Sequence, residues 1–187
     1  MILTPDNEYL AVLDACVLAP MPLCDTLLRC AEEPALFRVL WSNETLNEVH
    51  RTLIKFGYTA DQAEGRLRRM REAFPEAEVS VPPNLVNGTP DIPDPNDKHV
   101  VAAAIHERAH VIVTANIQHF PAELLKPHGI LVHHPDDFLI HQFHLSPGRI
   151  LEVLDTQASG IRLQRKDVLQ KLKNGVPNFV RLVEGQI

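Results

Sequence analysis

Short apolar segments alternate with segments of helical periodicity from residue 10 to about residue 144. The apolar segments lie at residues 10–13, 37–42, 78–81, 111–114 and 130–132. Their length and the turn residues that bound them are typical of buried strands. Between them, apolar side chains recur every three or four residues, as they do on one face of a helix. This alternation predicts an α/β fold whose mainly parallel, five-stranded sheet is covered by helices on both faces.

Polar residues at the ends of the helical segments predict where the helices begin and end. Asn43 and Thr59 are the expected N-caps of two successive helices, and Gly57 is expected to end the first of them. Residues 84–96 are rich in Asn, Gly, Pro and Asp, which predicts a loop.

The strand units stop after residue 144. Ser146 followed by Pro147 is typical of a helix start, and residues 165–175 form a second helical pattern. We therefore predict an α/β domain at residues 1–144 and a helical C-terminal extension at residues 145–187.

Bulk properties exclude several protein classes. The net charge of −6 argues against nucleic-acid binding through overall charge, although a local basic face can still serve. Three cysteines without a CxxC spacing argue against a disulfide framework and against a four-cysteine zinc site. The first ten residues predict no secretory signal, and no apolar run predicts a membrane span. The expected location is the cytoplasm.

Polar side chains stand where ligands bind in a parallel sheet, beyond the carboxyl ends of the strands. Asp14 directly follows the first apolar segment, and Asn116 lies just after the fourth. Asp97 precedes an apolar helix that returns to the fourth segment, and Glu48 lies on the first turns of an earlier helix. These four residues would converge if the first and fourth strands are neighbours.

Converging carboxylates raise one another's pKa, and a hard divalent cation removes that penalty. Mg²⁺ or Mn²⁺ is therefore the expected cofactor, and phosphodiester hydrolysis is the expected chemistry. Plain structural interpretations remain open. Asp94, Pro95 and Asp97 can form an ordinary helix start, with Asp94 as N-cap, and Glu48 can lie on a solvated helix face. Asp14 is the hardest to explain this way, because a carboxylate that ends a buried strand needs partners.

Four segments, in this order, resemble the PIN-domain nucleases and in particular the VapC-type toxins: VLDACVL, WSNETLNEVHRTL, DPNDKHVVAAAI and VIVTANIQHFP. The resemblance spans roughly residues 9–140, and the chain after about residue 145 is similar to the helical extension of one VapC subgroup. It implies a three-layer α/β/α fold and a Mg²⁺- or Mn²⁺-dependent ribonuclease. It also implies a cognate VapB-type antitoxin and a homodimer.

The resemblance assigns roles to individual residues. Asp14, Glu48 and Asp97 match the first three acids of the family, and Asn116 matches a fourth position that holds Asp or Asn. Thr114 matches the small hydroxyl residue at the end of its strand. Asp14 and Asp97 would be the main metal ligands, Glu48 would act through water or orient the nucleophile, and Asn116 would complete the shell. The expected mechanism is in-line attack of a metal-activated water on phosphorus.

Two positions depart from the family pattern. Asn116 is neutral, and His119 stands where many relatives have an acid before Phe-Pro. Both departures weaken a second metal position, which leads to the hypothesis of one tight metal and a second that arrives with the RNA phosphate.

Basic residues predict where RNA binds. Arg51 lies on the same helix as Glu48, and Arg68 and Arg69 belong to a basic run that also contains Arg66. Phosphate contact is the functional interpretation. A solvated face, or a face that meets an acidic antitoxin, explains the same residues.

Other protein classes fit less well. A phosphotransferase with an aspartyl nucleophile needs a second Asp at the position of Cys16, and a receiver domain needs a Lys where His133 and His134 stand. A PIN-like domain that has lost catalysis and serves as an RNA-binding or protein-interaction module remains the alternative.

Overall fold

The computed structural model describes residues 9–186. The prediction that the first ten residues hold no secretory signal therefore falls almost entirely outside the described residues. Within residues 9–186, no helix is both long enough and apolar enough to cross a membrane.

Five parallel strands form one sheet in the order β3-β2-β1-β4-β5. The strands are β1 (Leu10–Leu13), β2 (Arg38–Ser42), β3 (Glu78–Val79), β4 (Val111–Val113) and β5 (Leu131–His133). β1 is the central strand, with Val12 opposite Leu40 of β2 and Ile112 of β4. This architecture confirms the predicted α/β class and the five-stranded parallel sheet.

Helices follow the strands as the sequence periodicity predicts, and the structure contains further short helices that the periodicity does not predict. The helices are α1 (Ala15–Leu18), α2 (Leu23–Ala31), α3 (Asn43–Lys55), α4 (Ala60–Ala73), α5 (Pro83–Asn87), α6 (Lys98–His106), α7 (Ala122–Leu125), α8 (Pro135–Leu145), α9 (Pro147–Gly160), α10 (Arg165–Leu172) and α11 (Pro177–Glu184). Three short 3-10 turns lie at Pro95–Asp97, Ile117–His119 and Lys126–His128.

Two apolar cores lie on opposite faces of the sheet, because successive strand residues point to opposite sides. Leu13 and Val113 belong to the core that also contains side chains of α1–α4 and α8–α11. Val12 and Ile112 belong to the second core, with side chains of α6 and α7. The chain is therefore a three-layer α/β/α sandwich, and the C-terminal helices add to one of its outer layers.

Side-chain caps fix the starts of several helices. Thr59 caps α4 with a full capping box, and Gly57 has a positive φ of 91° just after α3, so both predictions are confirmed. The prediction that Asn43 caps α3 is wrong. Ser42 is the N-cap, since its hydroxyl accepts a hydrogen bond from the Thr45 backbone N–H, and Asn43 is the first helical residue.

Residues 84–96 are not a continuous loop, so that prediction is also wrong. Pro82 is extended and Pro83 occupies the first turn of α5, where its fixed φ favours a helix. The predicted third strand is also shorter than expected. β3 is an edge strand that pairs only with Trp41 and Ser42, the last two residues of β2.

The C-terminal extension contains a helix that the sequence analysis missed. Pro147 begins α9 as predicted, although the Ser146 side chain makes no capping hydrogen bond. The missed helix, α11, packs against α8 through the buried carboxylate of Asp136. Asp136 Oδ1 accepts a hydrogen bond from Phe179 N at 2.7 Å, and Oδ2 accepts from Asn178 N and Nδ2. The boundary at residues 144/145 stays a prediction.

Removing the charge of Asp136 should destabilise the C-terminal helices. We expect Asp136→Asn to lower the free energy of unfolding by about 1.5–3 kcal/mol, the usual value of hydrogen bonds to a buried charged group. Urea denaturation measures this change. Asp137→Asn is the matched control, because Asp137 is the exposed neighbour on the same helix turn. Equal stability of the two variants would contradict the docking role of Asp136.

Candidate active site

A cleft of about 440 Å³ opens at the carboxyl end of the central strands. Its lining includes the four residues predicted to converge: Asp14, Glu48, Asp97 and Asn116. They come from the end of β1, from α3, from the turn before α6 and from the segment after β4. Asp14 and Asn116 lie at the same edge of the sheet because β1 pairs directly with β4, so that both strands end there. The chemical roles assigned to the four residues remain predictions.

Asp14 is a buried carboxylate with one oxygen held and one oxygen free. Asp14 is only 3% exposed. Its Oδ2 accepts hydrogen bonds from Thr114 Oγ1 at 2.7 Å and from Cys16 Sγ at 3.1 Å. Among residues 9–186, no donor contacts Oδ1. A buried carboxylate is stable only with such partners. The arrangement fixes the carboxylate and leaves Oδ1 available to a ligand.

Thr114 connects the residues at the end of β4 to Asp14. It is fully buried, and its Oγ1 donates to Asp14 while accepting a hydrogen bond from the Asn116 backbone N–H at 3.0 Å. The Thr114 hydroxyl therefore sets both the carboxylate of Asp14 and the backbone that carries Asn116.

Cys16 lies in the same cleft, and the sequence analysis assigned it no role there. Its sulfur accepts a hydrogen bond from Ala115 N at 3.2 Å and lies 3.4 Å from Thr114 Oγ1. Burial, and after it the adjacent charge of Asp14, raise the pKa of the Cys16 thiol to about 12. The thiol is therefore protonated near neutral pH and acts as a donor to Asp14.

Asp94 confirms the predicted cap and has a second contact. Asp94 Oδ1 accepts a hydrogen bond from Asn96 N at 3.0 Å and so caps the turn Pro95–Asp97. Its other oxygen, Oδ2, lies 3.8 Å from His119 Nδ1. One carboxylate thus begins the helix and also borders the site.

Asp97 makes no capping hydrogen bond, so its side chain is free to enter the cleft. It is 13% exposed, and its Oδ2 lies 2.8 Å from His119 Nδ1. Burial raises the pKa of the Asp97 carboxyl; the His119 hydrogen bond opposes this shift, and the charges of Asp14 and Asp94 add to it. The crowding of carboxylates that the sequence predicted is therefore present at Asp97.

His119 contacts Asp97, the third of the predicted acids. Its effect on the site is therefore more than the loss of one negative charge. One ligand atom each from Asp94, Asp97 and His119 lie within 4.8 Å of one another. Such a set of oxygen and nitrogen donors is suited to a divalent cation.

Glu48 is the half-buried acid on α3, with a side chain 23% exposed. Its Oε2 lies 3.5 Å from His99 Nε2, and its Oε1 lies 3.8 Å from Arg51 Nη2. Arg51 itself is closer to Glu44, at 2.8 Å.

The basic side chains at the cleft differ from the predicted set. Arg51 and Lys55 line the cleft, and Lys55 has no ion pair within residues 9–186. Arg68 and Arg69 line a different cavity, between α2 and α4. Arg66 is buried and donates to the Leu18 and Ala19 carbonyls, so it is a structural residue and not a phosphate contact.

Sequence reasoning missed Cys16 and His99, and it treated His119 only as a departure from a pattern. The signal for His99 was available, because it is a polar residue in an otherwise apolar helix start, KHVVAAA. No comparable signal marks Cys16, which lies within an apolar segment.

The Cys16 environment predicts low thiol reactivity. Only the thiolate is nucleophilic, so at pH 8 we expect Cys16 to react with iodoacetamide about 100-fold or more slowly than a free thiol. Asp14→Asn should accelerate the reaction, since it removes a charge that raises the thiol pKa. Peptide mass spectrometry over time measures the rate, with urea-unfolded protein as the control. Reaction at the rate of the unfolded chain would contradict the described contacts.

Comparison with known proteins identifies the family to which the chain belongs. A family model described as "PIN domain" matches residues 11–118, and one described as "VapC50 C-terminal domain" matches residues 135–185. VapC50 of Mycobacterium tuberculosis, a protein that its name describes provisionally as a ribonuclease, is 59% identical over 49 residues. That alignment covers 26% of this chain and 29% of the relative. No solved structure matches. Because the PIN match spans more than half of the 187 residues, the chain belongs to the PIN-domain family, with a VapC50-type C-terminal domain after it.

Proposed function

We propose that this chain is a metal-dependent endoribonuclease that hydrolyses RNA phosphodiester bonds and acts as the toxin of a toxin–antitoxin pair. One observation carries the proposal. Three carboxylates and an amide, from four separate segments, line one cleft of a PIN-family domain. The name of the M. tuberculosis relative agrees with it, although the aligned part is short.

The residues present fit a hard divalent cation, Mg²⁺ or Mn²⁺. The cleft offers mainly oxygen donors. Burial raises the pKa of Asp97, and the charges of Asp14 and Asp94 add to that shift, so a cation there would relieve the cost of the buried negative charge. Asp14 and Asp97 would be the main ligands, Glu48 would bind through water, and Asn116 would complete the shell. A cation there would lower the pKa of a water and neutralise phosphate charge.

The other residues of the cleft would hold Asp14 in place, orient the attacking water and bind the RNA. Thr114 and Cys16 donate to one oxygen of Asp14, which fixes the direction of the other. Glu48 would orient the attacking water and take its proton. Arg51 and Lys55 would contact the RNA phosphates, and this local charge matters because the chain as a whole carries −6.

A catalytically weakened PIN-like module is the second candidate. Two observations favour it: Asn116 is neutral, and His119 occupies one oxygen of Asp97 at 2.8 Å. Such a module would bind RNA or a protein without cleaving RNA.

The proposed partners are RNA, a cognate VapB-type antitoxin and a second copy of this chain, in the cytoplasm. The PIN-domain match and the M. tuberculosis relative support RNA and the antitoxin. The cavity bordered by Arg68 and Arg69 is a candidate surface for an acidic antitoxin segment, as the sequence analysis allowed. The domain division at residues 144/145 stays a proposal, and the C-terminal match begins earlier, at residue 135, the first residue of α8.

Removing the charge of Asp14 or of Asp97, the two proposed main metal ligands, should strongly slow RNA cleavage. We expect Asp14→Asn and Asp97→Asn to lower the cleavage rate of single-stranded RNA in Mn²⁺ by about 100-fold or more, because several kcal/mol of transition-state stabilisation depend on the bound cation. Glu123→Gln, an exposed charge change on α7, should leave the rate unchanged. Fluorescently labelled RNA measures the rates, and circular dichroism confirms folding.

The same variants separate the two candidate functions. If the wild-type chain binds RNA but cleaves none with Mg²⁺ or Mn²⁺, the weakened module is correct. If folded Asp14→Asn protein cleaves RNA at the wild-type rate, the metal-site assignment is wrong.

A further inference from the structure

His99 is a buried histidine that has one ring nitrogen close to Glu48 of the candidate site. It is the second residue of α6 and is 8% exposed. Its Nε2 is buried and has no hydrogen-bond partner among the described residues, yet it lies 3.5 Å from Glu48 Oε2. A buried polar atom without a partner is unusual, so this geometry calls for an explanation.

The other ring nitrogen, Nδ1, faces two hydroxyl groups. His99 Nδ1 lies 2.8 Å from Ser42 Oγ and 3.4 Å from Thr45 Oγ1. Ser42 Oγ already accepts the Thr45 backbone N–H, so the hydroxyl hydrogens of this pair are available to donate to Nδ1. If Ser42 Oγ–H donates to Nδ1, the neutral ring carries its hydrogen on Nε2, the nitrogen that lies 3.5 Å from Glu48 Oε2. The opposite tautomer would turn a lone pair toward the carboxylate, which electrostatics disfavours.

Glu48 borders two cavities, so its carboxylate can turn toward either one. A hydrogen-bond donor such as His99 Nε2–H would hold it in one orientation. Glu48 lines the candidate active site, and together with His99 it also lines a neighbouring polar cavity. Its other nearby cation, Arg51, is exposed and hydrogen-bonds to Glu44 instead. Within residues 9–186, His99 is therefore the buried donor that can hold the Glu48 carboxylate in one orientation.

We propose that His99 is a positioning residue, which holds Glu48 toward the cation and water through its Nε2–H, with Ser42 fixing the tautomer. The N-cap of α3 and the start of α6 are thereby joined to the site. This inference deepens the proposed function and rests on it for the role of Glu48. Donors of this kind behind a metal-binding carboxylate commonly change metal affinity by about 10–100-fold when removed.

Two amide substitutions test this role, since each keeps one side of the ring. His99→Gln places an amide N–H near the Nε2 position and can still donate to Glu48. His99→Asn reaches only as far as Nδ1, so it keeps the Ser42 contact and loses Glu48. His106→Asn is the matched control, because His106 is exposed on the same helix.

The measurements are the affinity for Mn²⁺ alone by calorimetry, kcat and KM for RNA, and the melting temperature. We expect His99→Asn to weaken Mn²⁺ binding and to lower kcat by about 10-fold or more, with KM for RNA nearly unchanged. His99→Gln should restore both values to within about threefold of wild type, and His106→Asn should match wild type. Equal losses in the Gln and Asn variants, following the loss of melting temperature, would mean that His99 is only structural.

Glu48→Gln separates failure of this inference from failure of the proposed function. Combined with Glu48→Gln, His99→Asn should have no further effect, since its partner charge is gone. If Glu48→Gln impairs Mn²⁺ binding but His99→Asn does not, the positioning role is wrong and the proposed function stands. If Glu48→Gln has no effect, the assigned role of Glu48 is wrong and the inference is overturned with it.

Discussion

The direct pairing of β1 with β4 is the constraint on which the candidate site depends. Parallel neighbours end at the same edge of a sheet, so Asp14 and Thr114 meet there and form a hydrogen bond of 2.7 Å. The same edge receives Glu48 from α3 and Asp97 from the turn before α6. Because every element involved is anchored in one of the two cores, the acids are brought together by the fold before any ligand binds.

Hydrogen-bond donors oppose the repulsion that this convergence creates. Thr114 and Cys16 donate to Asp14, and His119 Nδ1 lies 2.8 Å from Asp97 Oδ2. These contacts are local, and the pKa of Asp97 remains raised despite them. A site that keeps excess carboxylate charge after internal compensation is suited to a cation, which is the physical basis of the proposed metal dependence.

The sequence predicted what depends on periodicity and caps. The strands of the sheet, the N-cap at Thr59 and the cap at Asp94 follow from local patterns. Convergence of the acids was conditional on strand order, which periodicity does not encode. Tertiary contacts determine the rest: α11 is held by Asp136, Arg66 is buried because it donates to two carbonyls, and His99 lies 3.5 Å from Glu48 of α3. Such contacts join residues far apart in the chain, so no local pattern predicts them.

The location of a bound cation tests the central claim most directly. Crystals soaked in Mn²⁺ and measured at its absorption edge give an anomalous peak at each bound ion. We predict a peak in the cleft, within coordinating distance, about 2.0–2.6 Å, of carboxylate oxygens of both Asp14 and Asp97. Occupied Mn²⁺ sites elsewhere, with no peak beside these two carboxylates, would contradict the account.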